Sequence, residues 1–173
     1  MLFKCFVTRD AENLFTGFKS YILPMLTYCS EIWSPHYVKD VLLIESVQRT
    51  FTKRIPGYAS LSYADRLKLL KIPTLERRRL ENDLKMCYKI LHGLVAGSPE
   101  NYGLELSNRQ SRGHSLKLKI EQPGVDVRKF YFANRVANPW NSLSESTVTC
   151  NNLRSFKRLV RRAKLDEFLY IKV

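Results

Sequence analysis

The chain has 173 residues and a formal net charge of +13, from 29 Lys and Arg against 16 Asp and Glu. Its composition, 45% apolar and 12% aromatic, is that of a folded domain and excludes a disordered basic tail. No apolar run reaches about 18 residues, which excludes a transmembrane helix. Residues 1–30 lack the features of a secretory signal, so we expect an intracellular protein of the cytoplasm or nucleus.

The cysteines are too widely spaced to indicate a structural framework. Cys5, Cys29, Cys87 and Cys150 form no C-x-x-C pair, and no histidine lies near them at zinc-ligand spacing. The sequence therefore predicts no disulfide framework, no metal site and no cofactor.

Positive charge is concentrated in the second half of the chain. Residues 1–107 have a net charge of +4, whereas the shorter segment 108–173 has a net charge of +9. Such a field attracts polyanions, of which nucleic acid is the commonest inside cells. An acidic protein partner, a solubilising surface and a membrane surface are the alternatives, and we expect no membrane binding.

The first half has the apolar periodicity of helices. The first predicted helix spans residues 10–34, with Asp10 as N-cap, a kink at Pro24 and an end at Ser34-Pro35. The next helix covers about 37–55 and ends before Pro56-Gly57. Ser62 caps a third helix that ends near Leu70, and Thr74 caps a fourth that ends near Leu91.

The second half has a different pattern. Residues 97–113 are typical of a loop or linker, and 115–120 alternate apolar with polar side chains, as in a strand. Residues 130–140 fit either a helix or a strand, and we favour a helix. Asn151 or Asn152 caps a last helix that extends to about Leu169. Trp33 and Trp140 are predicted to pack in the core.

No catalytic constellation is evident. A nucleotidyl transferase needs two closely placed carboxylates to hold metal ions. The pairs present are Asp166-Glu167 and Glu81 with Asp83, and both are interpreted as solvated surface residues. The segment 93–98 is flanked by glycines but has no lysine, so it is not a P-loop.

Clusters of basic residues are the candidate sites, because guanidinium and ammonium groups bind phosphates. The candidate phosphate-binding residues are Lys53, Arg54, Arg77, Arg78, Arg79, Arg109, Arg112, His114, Lys117, Lys119, Arg154, Lys157, Arg158, Arg161, Arg162 and Lys164. Solvated faces are the alternative for the Arg77–Arg79 group. For the last six, a helix that binds a membrane surface or a calmodulin-type protein is the alternative.

A series of short blocks resembles a known family. They include Tyr21–Ser34 (YILPMLTYCSEIWS), Lys53–Gly57 (KRIPG), Thr74–Arg79 (TLERRR), Tyr88–Gly93 (YKILHG) and Phe132–Leu143 (FANRVANPWNSL). Their order and spacing resemble the region that follows the catalytic palm of non-LTR (LINE-type) retrotransposon reverse transcriptases. The resemblance covers nearly the whole chain.

The resemblance implies a helical thumb-like region followed by a C-terminal segment that helps to grip template RNA, primer or target DNA. The Tyr-x-Asp-Asp motif of the polymerase is absent, as are the endonuclease residues and the Cys/His knuckle of some relatives. We therefore expect a non-enzymatic fragment of an RNA-directed DNA polymerase.

Together these features predict a mainly α fold, a helical thumb-like bundle with a small, basic, mixed C-terminal segment. The predicted division is 1–96 for the helical region, 97–113 for the linker and 114–173 for the basic segment. The expected partners are RNA, DNA or both, through phosphate contacts.

The alternative is an inert or protein-interaction remnant that self-associates or docks on an intact reverse transcriptase. Its inner apolar face would then be exposed, with Leu14, Phe18, Ile22, Val41 and Ile44 on it.

Overall fold

The structure is a computed structural model that describes residues 10–108, 113–121 and 124–173. It is mainly helical, as predicted. The α-helices are α1 Ala11–Gly17, α2 Leu23–Thr27, α3 Ser30–Trp33, α4 Val38–Lys53, α5 Tyr63–Leu70, α6 Leu75–Leu91, α7 Asp126–Lys129, α8 Phe132–Asn141, α9 Glu145–Val148 and α10 Leu153–Arg162. A π-helical turn spans Phe18–Ile22, and 3₁₀ turns span Pro99–Tyr102 and Asp166–Phe168.

The chain divides into two compact units, and the boundary falls within α6. Unit 1 comprises the residues up to Arg79 together with Tyr170–Val173, and unit 2 comprises Leu80–Leu169. This division assigns residues 80–96 to unit 2, whereas the sequence grouped them with the N-terminal helices.

Local capping explains where four of the helices begin. The side chain of Asp10 accepts a hydrogen bond from the Asn13 backbone N–H at 2.7 Å, which satisfies a donor that the first turn leaves open. Ser62, Thr74 and Asn152 accept equivalent bonds at the starts of α5, α6 and α10. These predicted N-termini are confirmed.

The first predicted helix is broken into pieces. Proline lacks a backbone N–H, and Pro24 lies in the first turn of α2, directly after the π-helical turn. The chain then leaves the helix at Tyr28, and Cys29 adopts a left-handed φ of 48°. The predicted irregularity at Pro24 is confirmed, but the segment does not continue as one helix to Ser34.

The core of unit 1 is formed by α1, the π-helical turn, α4 and the start of α6. Leu14, Phe18 and Phe51 are buried in it, and the rings of Phe18 and Phe51 stack with centroids 4.3 Å apart. The burial of Leu14 and Phe18, and of Val41 elsewhere in the unit, contradicts the expectation that they form an exposed face.

Two buried carboxylates of unit 1 accept backbone hydrogen bonds from distant segments. Glu45 accepts the N–H of Leu75 at 2.8 Å, and thus supplements the N-terminal cap of α6 from α4. Glu76 accepts the N–H groups of Tyr170 and Ile171 at 2.9 and 2.8 Å. These bonds join segments that lie far apart in the sequence.

The core of unit 2 lies between α6, α8 and α10. Leu84 and Cys87 of α6 are buried, together with Phe156 and Val160 of α10. Trp140 is 0% exposed, as predicted. Trp33 of unit 1 differs from the prediction, because 41% of it is exposed.

Two predicted elements of unit 2 are corrected. The 115–120 segment forms no strand among its described neighbours: Leu118 makes an isolated antiparallel bridge with Leu106. The bridge rests on bonds from Ser107 N to Lys117 O and from Lys119 N to Glu105 O, both 2.8 Å. The last helix ends at Arg162 instead of Leu169, because Ala163 turns to an extended conformation.

None of the helices in the described ranges is long and apolar enough to cross a membrane.

Candidate nucleic-acid interface

The orientation of α10 is set by its apolar side. Asn152 caps its N-terminus by accepting the Ser155 N–H at 2.8 Å. Phe156 and Val160 are both 0% exposed, and the Phe156 ring lies 4.4 Å from that of Tyr88. Because these two residues are four apart on a helix, they fix one face of α10 against the core and direct the other face to solvent.

The solvent face of α10 is basic. At about 100° per residue, its cations cover an arc of about 140° over an axial length of about 12 Å. All are exposed: Arg154, Lys157, Arg158, Arg161 and Arg162, with Lys164 just beyond the helix end. Five of the predicted site residues are therefore brought together on one side of the helix, and these five together with Lys164 are here called the α10 basic face.

The cations of the α10 basic face have no carboxylate partners in the part of the chain that the structure describes. Within the described ranges, none of the six forms an ion pair or a side-chain hydrogen bond. Unneutralised like charges at this spacing repel one another and attract a polyanion. Arginine guanidinium groups also match phosphate oxygens bidentately, so the face is chemically suited to a phosphate backbone.

The 113–119 segment contributes less to the surface than the sequence predicted. Lys119 is exposed but pairs with Glu105 at 2.8 Å, and this hydrogen bond raises the pKa of Lys119. Lys117 is half-buried. A partly neutralised lysine offers less to a phosphate than the free cations of the α10 basic face. Arg109 and Arg112, also predicted there, lie outside the described residues.

His114 lies in the core of unit 2 instead of on its surface. It is 3% exposed, and its Nε2 lies 3.0 Å from the carbonyl oxygen of Trp140, to which a protonated Nε2 donates. Burial lowers the pKa of His114, while the Trp140 carbonyl and Glu145 act in the opposite direction. We leave His114 out of the proposed interface.

The candidate residues of unit 1 differ in accessibility. Lys53 and Arg54 are exposed at the C-terminal end of α4, where positive charge suits the helix dipole. Arg77 and Arg78 are half-buried, and Arg79 is only 2% exposed. Arg79 favours the charged form of the nearby Glu45 carboxylate, so its role in this structure is internal, and we leave it out of the interface.

The two carboxylate pairs noted in the sequence differ in their exposure to solvent. Asp166 and Glu167 are exposed, as predicted. Glu81 and Asp83 are buried, which corrects their interpretation as solvated residues. The Asp83 carboxylate is paired with Arg135, which neutralises it. No group of three or more metal-ligating side chains occurs in the part of the chain that the structure describes.

The sequence prediction missed a pair of arginines in unit 1. The guanidinium carbons of Arg49 and Arg66 lie 4.9 and 5.6 Å from the centroid of the Tyr63 ring. The Tyr63 hydroxyl donates to Glu45, and Gln48 Nε2 donates to that hydroxyl at 3.1 Å. The only sequence signal was the i,i+3 spacing of Tyr63 and Arg66 on a helix, because Arg49 comes from a different element.

Comparisons with known proteins give one weak similarity. The chain is 24% identical, over 95 residues, to an uncharacterized protein of Caenorhabditis elegans. The match covers 53% of this chain, and the chain spans about half (48%) of the length of that relative. No family model matches the chain, and no solved structure matches it.

Proposed function

We propose that this chain is a nucleic-acid-binding module without catalytic activity, related to the C-terminal part of a non-LTR retrotransposon reverse transcriptase. The α10 basic face carries the proposal: six exposed cations lie on α10 or directly after it, and none has a carboxylate partner among the described residues. The motif resemblance and the net charge of +13 support the same proposal.

The proposed mechanism is electrostatic. Each cation that neutralises a phosphate releases a condensed counterion, so affinity falls steeply as salt concentration rises. Six such contacts lower the affinity roughly a thousandfold between 50 and 200 mM salt. Phosphate contacts position a nucleic acid without reading its bases, so we expect little sequence preference.

A fluorescence-anisotropy titration tests the proposal. Purified protein is titrated against a short single-stranded RNA and a short DNA duplex, each at low and at moderate salt. Submicromolar binding at low salt with a steep salt dependence is expected. Absence of binding at low salt would overturn the proposal, because an accessible basic surface binds a polyanion under those conditions.

An apolar surface of unit 1 favours a second candidate function, self-association. Tyr21, Met25, Tyr28 and Ile32 lie within one short stretch of sequence, and all are exposed, Ile32 by 83%. Exposed apolar side chains favour contact with another protein, and a second copy of this chain is the proposed partner.

Sedimentation velocity tests this candidate. A dimer that dissociates on Ile32→Glu substitution is expected, and a monomer at tens of micromolar (a range in which weak dimers form) would contradict it.

A further inference from the structure

Two arginine side chains of unit 1 share one aromatic ring. Arg49 on α4 and Arg66 on α5 both place their guanidinium groups within 6 Å of the Tyr63 centroid, at 4.9 and 5.6 Å. Their positive charges therefore lie within about 11 Å of each other, and the Tyr63 ring attracts both.

Among the described residues, neither arginine has an anionic partner. In the ranges that the structure describes, no carboxylate lies within ion-pairing distance of Arg49 or Arg66. Glu45, the carboxylate of this network, already accepts hydrogen bonds from the Tyr63 hydroxyl and from two backbone N–H groups at the start of α6.

Arg66 has unmet hydrogen-bonding capacity. It is 4% exposed, and its Nε and Nη1 atoms are buried with no acceptor in the described structure. A buried guanidinium without acceptors is costly, and an oxyanion that supplied them would be bound favourably. Arg49 is exposed, so the two arginines differ in their access to solvent.

We propose that Arg49 and Arg66, held by the Tyr63 ring, form a binding site for one phosphate group of a nucleic-acid backbone. The inference rests on the proposed nucleic-acid-binding function and adds a contact in unit 1 to the α10 basic face of unit 2. Arg49 supplies an exposed guanidinium group, and Arg66 supplies N–H donors that have no acceptor in the described structure. Arginine is suited to this role because its planar fork binds phosphate oxygens in pairs.

The test compares Arg49→Gln with the matched control Lys39→Gln in the full chain. Lys39 lies on the same helix, is exposed, and has its Nζ 5.5 Å from the centroid of the Tyr37 ring. Anisotropy titrations with a short DNA duplex are run at several salt concentrations. Arg49→Gln is expected to weaken binding about tenfold and to lower the salt slope by about one, whereas Lys39→Gln changes neither appreciably.

A second measurement needs no variant at the buried position. The side-chain Nε–H resonances of Arg49 and Arg66 are followed by NMR in the unmodified protein as the DNA duplex, or inorganic phosphate alone, is added. The Arg66 resonance is expected to shift with the duplex. A duplex that binds without moving it, or equal binding by the two Gln variants, would overturn the site and leave the proposed function intact.

Inorganic phosphate separates the two possible sources of the anion. A shift of the Arg66 resonance with phosphate, in a protein that does not bind the duplex at low salt, would overturn the nucleic-acid function and the phosphodiester contact together. A shift with the duplex that is lost in Arg49→Gln supports the proposal.

Discussion

Arg135 on α8 donates two hydrogen bonds to the carboxylate of Asp83 on α6, from Nε to Oδ2 at 2.8 Å and from Nη2 to Oδ1 at 2.9 Å. Both side chains are largely removed from solvent, with 17% and 5% exposed. The same guanidinium group also donates to the carbonyl oxygen of Phe130, at 3.3 Å. The pair thereby links two of the three helices that enclose the core of unit 2.

Removal of one partner leaves a buried charge uncompensated. We expect Asp83→Ala to destabilise the protein by about 3–5 kcal/mol, the range found for broken buried pairs. Urea denaturation followed by circular dichroism measures this loss. Exposed Glu167→Ala is the matched control and is expected to change stability by less than about 0.5 kcal/mol. Equal stability of the two variants would contradict the importance of the pair.

Glu45 provides a second test, because its buried charge lowers the stability of the folded state whereas its acceptor oxygens raise it. Glu45→Ala leaves the Leu75 N–H and the Tyr63 hydroxyl without their acceptor, and is expected to cost about 2–4 kcal/mol. Glu45→Gln keeps an acceptor oxygen and should cost less. Urea denaturation at neutral pH measures both variants, and the same loss in both would contradict this interpretation.

The pH dependence of the Glu45→Gln effect has a definite sign. Burial raises the pKa of the Glu45 carboxyl, so the folded state binds this proton more tightly than the unfolded state does. The stability that protonation of Glu45 contributes is therefore fully present below its unfolded-state pKa of about 4.5. It is lost as the pH rises through the higher pKa of the folded state. Relative to wild type, Glu45→Gln should become more stable as pH rises from 4 to 7 (about the range spanned by these protonation steps).

His114 predicts the opposite pH behaviour. Burial lowers its pKa from 6.5, because the charged imidazolium is poorly solvated beside Trp140, and Lys117 adds to this effect. Below pH 6.5 the unfolded state binds a proton more readily than the folded state does, so stability is lost as pH falls through this range.

A variant without the imidazole isolates this effect. Thermal unfolding of wild type and His114→Gln is measured between pH 5 and 8 (roughly the range in which histidine titrates). The unfolding temperature should fall more steeply towards acid pH in wild type than in the variant. Parallel curves would show that His114 titrates alike in the folded and unfolded states.

The α10 basic face predicts a change in salt dependence. Arg158→Ala, Arg161→Ala and Arg162→Ala together should lower the slope of log affinity against log salt by about three. Alanine favours helix, and none of the three side chains is buried, so the helix should persist.

A matched triple variant controls for the loss of net charge. The control combines Lys39→Ala, Lys68→Ala and Lys172→Ala, which remove the same charge from exposed positions elsewhere. It should leave the slope of log affinity against log salt mostly unchanged. An unchanged slope in the α10 variant would remove this helix from the binding surface. Anisotropy titration at four or more salt concentrations (enough to define a linear slope of about this size) measures both.

The parts of the fold that local chemistry determines were predictable. Asp10, Ser62, Thr74 and Asn152 cap helices through bonds to N–H groups three residues away, so each signal lies within one turn of sequence. The mainly α fold followed from apolar periodicity for the same reason.

Features that depend on distant partners were not predictable. Asp83 lies 52 residues from Arg135, and Glu76 lies 94 residues from Tyr170, so no local pattern marked these carboxylates as buried. The alternation at 115–120 predicted a strand, but a strand also needs a partner, and only Leu106 bridges Leu118 in the described structure. In the candidate site, the amphipathic α10 was predictable, whereas the burial of Arg79 and His114 depends on residues far along the chain.

The two tryptophans are distributed so that each unit carries its own optical reporter. Trp140 is enclosed in unit 2, and Trp33 is 41% exposed in unit 1. An enclosed indole emits at shorter wavelength than a wetted one, so the native emission spectrum should contain a blue and a red component. Replacement of Trp33 by Phe would leave a fluorophore that senses only the melting of unit 2, and replacement of Trp140 would leave one that senses only unit 1. The order in which the units lose structure can thus be read from intrinsic emission, without an attached dye.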